Sequence, residues 1–358
     1  MFNRIKSIFG LFLLSALSLN AQSAFPDITH YSIFKSLDQA KLEKGEILSE
    51  RGEFNNFSRG LTVEFAYVIN QPVELTAKGL AFWNPPIKED SIILASHIFT
   101  SDENADFNQF DLNLPSKPIN SLVQQTLDAR NKTPTMQLSK TDLENLKKTL
   151  QSLPPGAKSD SPEAKKIVSQ FWAALLQEKY TSYRQKGLSA IPGYQLGDTE
   201  LIVEGELKSL LSEYPQIYTR FKELLITSII LPAGKVPSPA TSYYWQVIKA
   251  DKIATCVLGV VNSKQVGKTI QIADSQIYVS NSYFTTLTLY ELYPVTINGK
   301  ECTFVWRSDF VSAPLFEYLK GVQQFAAGAL MIKSIKQSIG EFKRDIESGR
   351  QESFATKL

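Results

Sequence analysis

Between residues 243 and 312 the chain reads as a succession of β-rich runs: YYWQVIKA, KIATCVLGVV, TIQIADSQIYVS, YFTTLTLYELYPV and ECTFVWRSDFV. Breaks as short as NSK and INGK separate them, and Asn298–Gly299 in the last is a hairpin pair. Strands joined by so few residues pair antiparallel, because a parallel partner requires a long crossover. The stretch therefore predicts an antiparallel meander.

The remaining segments supply the partners. Pro314 leads into PLFEYLKGVQQFAAGALMIKSIKQSIGEFKRDIE, closed by Gly349. Leu315, Leu319, Val322, Ala326, Ala329, Ile332, Ile335, Ile339, Phe342 and Ile346 recur at steps of three or four, which predicts one long helix with a continuous apolar stripe. Gly321 and Gly328 share nearly one face of it and would let another surface approach closely. Upstream, Leu61, Val63, Phe65, Tyr67 and Ile69 alternate with Thr62, Glu64 and Ala66, a strand pattern. Asn70 as N-cap, Pro72 in the first turn and Pro85–Pro86 as a stop predict a short helix after it. KGEILSERGEF and SIILASHIF read as further short strands.

From about 119 to 228 the pattern is helical. Ser139 precedes one helix, Ser161–Pro162 opens another that Gly187 closes, and Tyr214–Pro215 divides two more. The expected fold class is α+β, an antiparallel sheet with a long C-terminal helix packed across it and a mainly helical insertion. The boundaries are 1–23 for an export signal, 24–118 for the first part of the core, 119–242 for the insertion and 243–350 for the completing meander and helix.

The signal reading rests on Arg4 and Lys6 before an apolar run from Ile8 to Leu19, followed by Ala21, Ser23 and Ala24. That run is too short to span a bilayer, and no later stretch of the mature chain qualifies as a transmembrane helix. The expected location is periplasmic or secreted. The net charge of +2 includes Arg4 and Lys6, so the exported chain is near neutral and lacks the footprint of a nucleic-acid binder. The hydrophobic share of 43% supports a real core. In an oxidising compartment Cys256 and Cys302 are a candidate disulfide, with two separately buried thiols as the equal alternative.

Catalytic motifs are scarce. His30 and His97 stand far apart in sequence, and no G-x-S-x-G, phosphate-cradling loop, H-E-x-x-H or clustered metal ligands occur. No cofactor or metal is implied. Two acids interrupt strand patterns. Glu291 shares a largely apolar face with Tyr283, Thr285, Leu287, Leu289, Tyr293 and Val295, and Glu64 lies with Thr62 and Ala66. A strand-end or solvent-facing position is the commoner explanation for each, and a buried acid must be paired or protonated. In ECTFVWRSDF, alternation places Arg307 and Asp309 side by side on the face opposite Cys302, Phe304 and Trp306. An ion pair pinning the strand's end is the plain reading. The sharper one aims Arg307 at a ligand carboxylate or phosphate.

The order of strand, proline-led short helix, meander and long terminal helix, carried by residues 61–83 and 243–348, resembles the START-like or SRPBCC helix-grip superfamily. GLSAIPGY, YYWQVIKAD, SQIYVSNSYF and WRSDF are similar to segments of uncharacterised exported bacterial proteins. The helix-grip resemblance implies a cavity between sheet and long helix that takes lipids or other hydrophobic ligands. The expected function is thus non-enzymatic binding of a hydrophobic or lipid-like small molecule. The candidate ligand-binding residues are Arg307, Asp309, Glu291, Trp306, Tyr290 and Phe284. One alternative is an envelope protein that docks a protein partner through its helical insertion, and another is an enzyme using Glu291, Arg307 and Asp309.

Overall fold

A computed structural model describes residues 25–53, 56–83, 92–99, 103–132, 134–226, 240–319 and 321–349. The expected export signal lies outside the described residues. The chain begins with α1 (Gln39–Glu43), β1 (Leu48–Arg51), β2 (Gly60–Ile69), α2 (Val73–Phe82), β3 (Ile93–Ile98) and α3 (Glu103–Asn108). Then come α4 (Lys117–Asp128), α5 (Lys140–Leu150), α6 (Pro162–Lys186), the small hairpin β4 (Tyr194–Leu196) and β5 (Thr199–Leu201), α7 (Val203–Ser212) and α8 (Pro215–Leu225). The meander is β6 (Ala240–Ala250), β7 (Ile253–Val266), β8 (Thr269–Val279), β9 (Thr285–Ile297) and β10 (Lys300–Ser312). The chain closes with α9 (Pro314–Tyr318) and α10 (Val322–Glu347).

The fold is α+β, as its pattern predicts. Eight strands form one antiparallel sheet in the order β1-β2-β10-β9-β8-β7-β6-β3. The β9–β10 hairpin turns on Asn298 and Gly299, whose φ angles of 51° and 75° are what a two-residue loop between twisted strands demands. β2 inserts between β1 and β10, which brings the first strand pattern into the meander's sheet.

Helices cover both faces. On one side α4, α6, α7 and α8 pack on β7 to β10, together with the N-terminal segment around Phe25, Ile28 and Tyr31. On the other lie α2, against β8 to β10, and α10, along β2. Ala81 near the end of α2 accepts a bond from Ser242 on β6, while Trp83 packs on Phe342 of α10. The ten-residue α2 and its C-cap thus touch both β6 and α10.

Local signals set most helix limits. Ser161 caps α6 by accepting from the Ala164 N–H, and Gly187 ends it at φ 77°. Ser139 and Asp142 form a reciprocal capping box on α5. Two expectations change. α2 is capped by Pro72 with no side-chain bond, and Asn70 instead accepts from the Cys302 thiol. The C-terminal helix is not continuous, since α9 ends at Tyr318 and Gly321 takes a φ of 52° before α10.

The apolar stripe is buried only toward its end, at Ile339, Phe342 and Ile346, whereas Val322 is 82% exposed and Phe325 64%. α10 follows β2 from Asn70, whose N–H donates to Glu347, to Arg51 on β1, against which Gly328 packs so closely that a Cβ would lie 2.7 Å from the arginine Cδ. The close approach that Gly328 permits is therefore to a side chain.

The disulfide is not formed: Cys256 and Cys302 are both free and buried. Cys256 is on β7 and Cys302 on β10, and with β8 and β9 between them their backbones stand roughly 14 Å apart at ordinary strand spacing. A bridge tolerates less than about 7 Å. Burial pushes the Cys256 thiol well above its ordinary pKa, which keeps it in the unreactive form.

Candidate functional site

The hairpin at Asn298–Gly299 pairs Trp306 with Glu291 and Arg307 with Tyr290. Because neighbours across a sheet share a face, the six candidate residues divide three and three. Glu291, Trp306 and Phe284 face the helical layer α4–α8. Arg307, Asp309 and Tyr290 face α2 and α10.

The first group is locked inside a core. Glu291 has no exposure. Arg220 of α8 clamps it through Nε at 2.5 Å and Nη2 at 2.8 Å, while the Tyr31 hydroxyl at 3.0 Å and the Gln271 amide at 3.2 Å supply further donors. Arg220 also lies 4.6 Å over the Tyr31 ring. Every lone pair that burial exposes to an apolar surround is met, so Glu291 ties the N-terminal segment, α8 and the sheet together. Trp306 is fully buried between Tyr31 and Phe221. Phe284 packs on Tyr194.

Glu64 belongs to this side and is also fully buried, against the expectation that it faces solvent or a strand end. Its Oε2 accepts from Trp306 Nε1 and from the Ile33 N–H, each at 3.0 Å, but Oε1 has no hydrogen-bond partner among the described residues. Among the described residues no cation approaches it as Arg220 approaches Glu291. Burial therefore pushes its pKa up to about 8, and the hydrogen bonds only partly oppose that. The burial holds Glu64 toward its neutral form.

The second group lies on a different kind of surface. Arg307 donates to Asp309 through Nε and Nη2, both at 2.7 Å, and its guanidinium sits 5.3 Å over the Tyr290 ring. The pair that the i,i+2 spacing suggests is thus real, although β10 continues past it to Ser312. Thr288 on β9 donates to Asp309 at 2.9 Å. On β8, in register with Thr288, is Asp274, which accepts from the Tyr244 hydroxyl at 2.8 Å. Tyr283 donates to Gln276 at 2.6 Å.

Asp274, Gln276, Tyr283 and Arg307 are all half-buried, so this part of the face is neither filled core nor open surface. Burial raises Asp274 to about 6, opposed by the Tyr244 bond and the Arg307 charge. The hydroxyl of Tyr67, fully buried on neighbouring β2, has no hydrogen-bond partner among the described residues.

Tyr244 reaches Asp274 by lying across Gly259. A Cβ there would fall 2.0 Å from the tyrosine ring, so no other residue lets the ring cross at that height. Asp274 carried a signal in sequence: it interrupts the apolar face begun by Ile270 and Ile272, as Glu291 interrupts its own. The recruitment of Tyr244 across an intervening strand had no such signal.

The arrangement holds a rank of polar groups, Asp309, Thr288 and Asp274, in neighbouring strands beneath tyrosine rings. It offers charged, hydrogen-bonding and aromatic contacts on one sheet face. Among the described residues no group of three or more His, Cys, Asp or Glu could hold a metal ion. His97 is engaged with Asp106 at 2.7 Å. No helix of the described residues is long and apolar enough to cross a membrane.

Comparison with known proteins finds no matching family model, no matching curated relative and no matching solved structure.

Proposed function

We propose that the protein binds a small amphipathic molecule in the trough between α2, α10 and the β8–β10 part of the sheet. The observation that carries this reading is the half-burial of Asp274, Gln276, Tyr283 and Arg307 together on one sheet face, beside the buried Thr288, Asp309 and Tyr290. Ligand sites are largely apolar concavities with a few placed polar groups, and this trough combines tyrosine rings with such groups. The sheet and long-helix arrangement implied by the START-like resemblance points the same way. Arg307, Asp309 and Tyr290 stay in the site, Tyr244 and Asp274 join it, and Glu291, Trp306 and Phe284 leave it.

The other readings draw less support. An enzyme built on Glu291, Arg307 and Asp309 needs the three side chains in one pocket, and they point to opposite faces. Docking through the helical insertion needs an exposed apolar patch there. The large exposed apolar residues of α6 to α8 and the segments between them are Leu196 and Ile202, while Phe221, Leu224, Trp172 and their neighbours are spent in the core.

Native mass spectrometry of the protein purified from its own compartment, with extraction and identification of bound small molecules, tests the proposal. A co-purifying amphipathic molecule, lost in Gly259→Ala while the circular dichroism spectrum is kept, is the expected result. A bare protein mass that does not change on adding amphiphiles would overturn it.

A further inference from the structure

We infer that the polar end of the trough selects a cationic head group, an amine or a quaternary ammonium, with Asp274 as its counter-ion. This rests on the trough being a ligand site and adds the sign of charge it takes. Three charged side chains converge there, and two of them satisfy each other. Asp309 takes the Nε and Nη2 edge of Arg307, each at 2.7 Å, Thr288 adds a bond to Asp309, and the guanidinium lies over Tyr290. That arginine is already neutralised by its own strand, so a carboxylate or phosphate reaching its remaining N–H groups would meet an ion pair of no net charge rather than a free cation.

Asp274 is in the opposite condition. One of its oxygens accepts a single bond, from Tyr244, and the other has no hydrogen-bond partner among the described residues. With Arg307 and Asp309 cancelling, the trough holds one surplus negative charge when Asp274 is ionised. The side chain is half-buried, so a ligand can meet it, yet it is shielded enough for its charge to count. Tyr244 is bonded to it and Tyr283 and Tyr290 lie near enough to feel its charge, and aromatic faces attract cations through the ring quadrupole. A carboxylate with an open oxygen among tyrosine rings is matched by an ammonium ion. An anion placed there meets the surplus negative charge of Asp274.

Three hexyl compounds that share a tail and differ in head separate the inference from its premise: hexyltrimethylammonium, hexanol and hexanesulfonate, titrated calorimetrically into the full chain at neutral pH. The ammonium is expected to bind at least roughly tenfold more tightly than either of the others. In Asp274→Asn that discrimination should collapse. Tyr244→Phe, which keeps the ring and removes only the hydroxyl, gives a second variant should Asp274→Asn fold poorly, and should alter the ammonium's affinity more than the alcohol's. If the sulfonate binds as tightly as the ammonium, or if the preference persists in both variants, the inference is wrong while the trough remains a ligand site. If none of the three binds, the trough reading fails and the inference with it.

Discussion

Glu291 and Asp274 sit on adjacent strands and face opposite sides of one sheet, and the protein treats the two carboxylates in opposite ways. Glu291 receives an arginine fork, a tyrosine hydroxyl and an amide, drawn from the N-terminal segment, α8 and β8. Asp274 receives one tyrosine hydroxyl and stays within reach of solvent. A fully satisfied buried acid holds distant elements in register, and because nothing is left over it can do nothing else. An acid with an open valence on a half-covered face is less useful to the fold and remains available to a ligand.

Substitutions can break this contrast, and the largest effects should come from the closed side. Trp306→Ala removes a fully buried ring that three partners contact, and should lower unfolding free energy in urea by about 3–5 kcal/mol. A loss under about 1 kcal/mol would mean that this face is not a packed core.

Arg220→Ala comes next. It leaves Glu291 buried without a cation, a change typically worth about 3–5 kcal/mol. Arg220 is itself a third exposed, so water returning to the vacancy should hold the loss to about 2–3 kcal/mol. Glu291→Gln in the Arg220→Ala background should recover part of that stability, and a double-mutant cycle in denaturant reads the coupling.

The third prediction concerns Glu64, the acid on the closed side that no cation offsets. Its folded pKa of about 8 lies above the ordinary value, so between about 4.5 and about 8 the folded chain holds a proton that the unfolded chain releases. This group's contribution is therefore most favourable to folding below the lower limit and declines as pH rises through the window, by up to about 1.4 kcal/mol per unit. The described groups around it are Trp306, Ser32, Ser308, Ile33 and Tyr214, none of which titrates there. Glu64→Gln should flatten the pH dependence of stability, gaining on the parent as pH rises from 5 toward 8. Equal slopes in the two proteins would show that Glu64 is ionised in the fold.

The smallest effect belongs to the open side. Tyr244→Phe removes one hydrogen bond to a half-buried acid that water can replace, so the melting transition should move by no more than about 0.5–1 kcal/mol. A loss as large as that of Arg220→Ala would make the Tyr244–Asp274 contact a fastener like Glu291 and erase the distinction between the faces.

Much of this was legible in the sequence. A two-residue loop at Asn298–Gly299 pairs residue 297 with 300, and therefore 291 with 306 and 290 with 307. The separation of Glu291 from Arg307 follows from that count alone. Likewise, Asp274 stands on a face with Ile270 and Ile272, where an acid needs a reason.

Sequence by itself determined the antiparallel meander, the helix caps at Ser139 and Ser161, and the pairing of Arg307 with Asp309. Each follows from interactions among residues a few positions apart, where backbone geometry leaves little choice. Tertiary structure decided which acid would be satisfied and which left open. Arg220 reaches Glu291 from 71 residues away and Tyr31 from 260, and Tyr244 reaches Asp274 only by crossing Gly259 on a strand between them. Such partners are set by how helices and strands pack against each other. No local pattern encodes that, because the energy of a buried charge depends on everything that surrounds it.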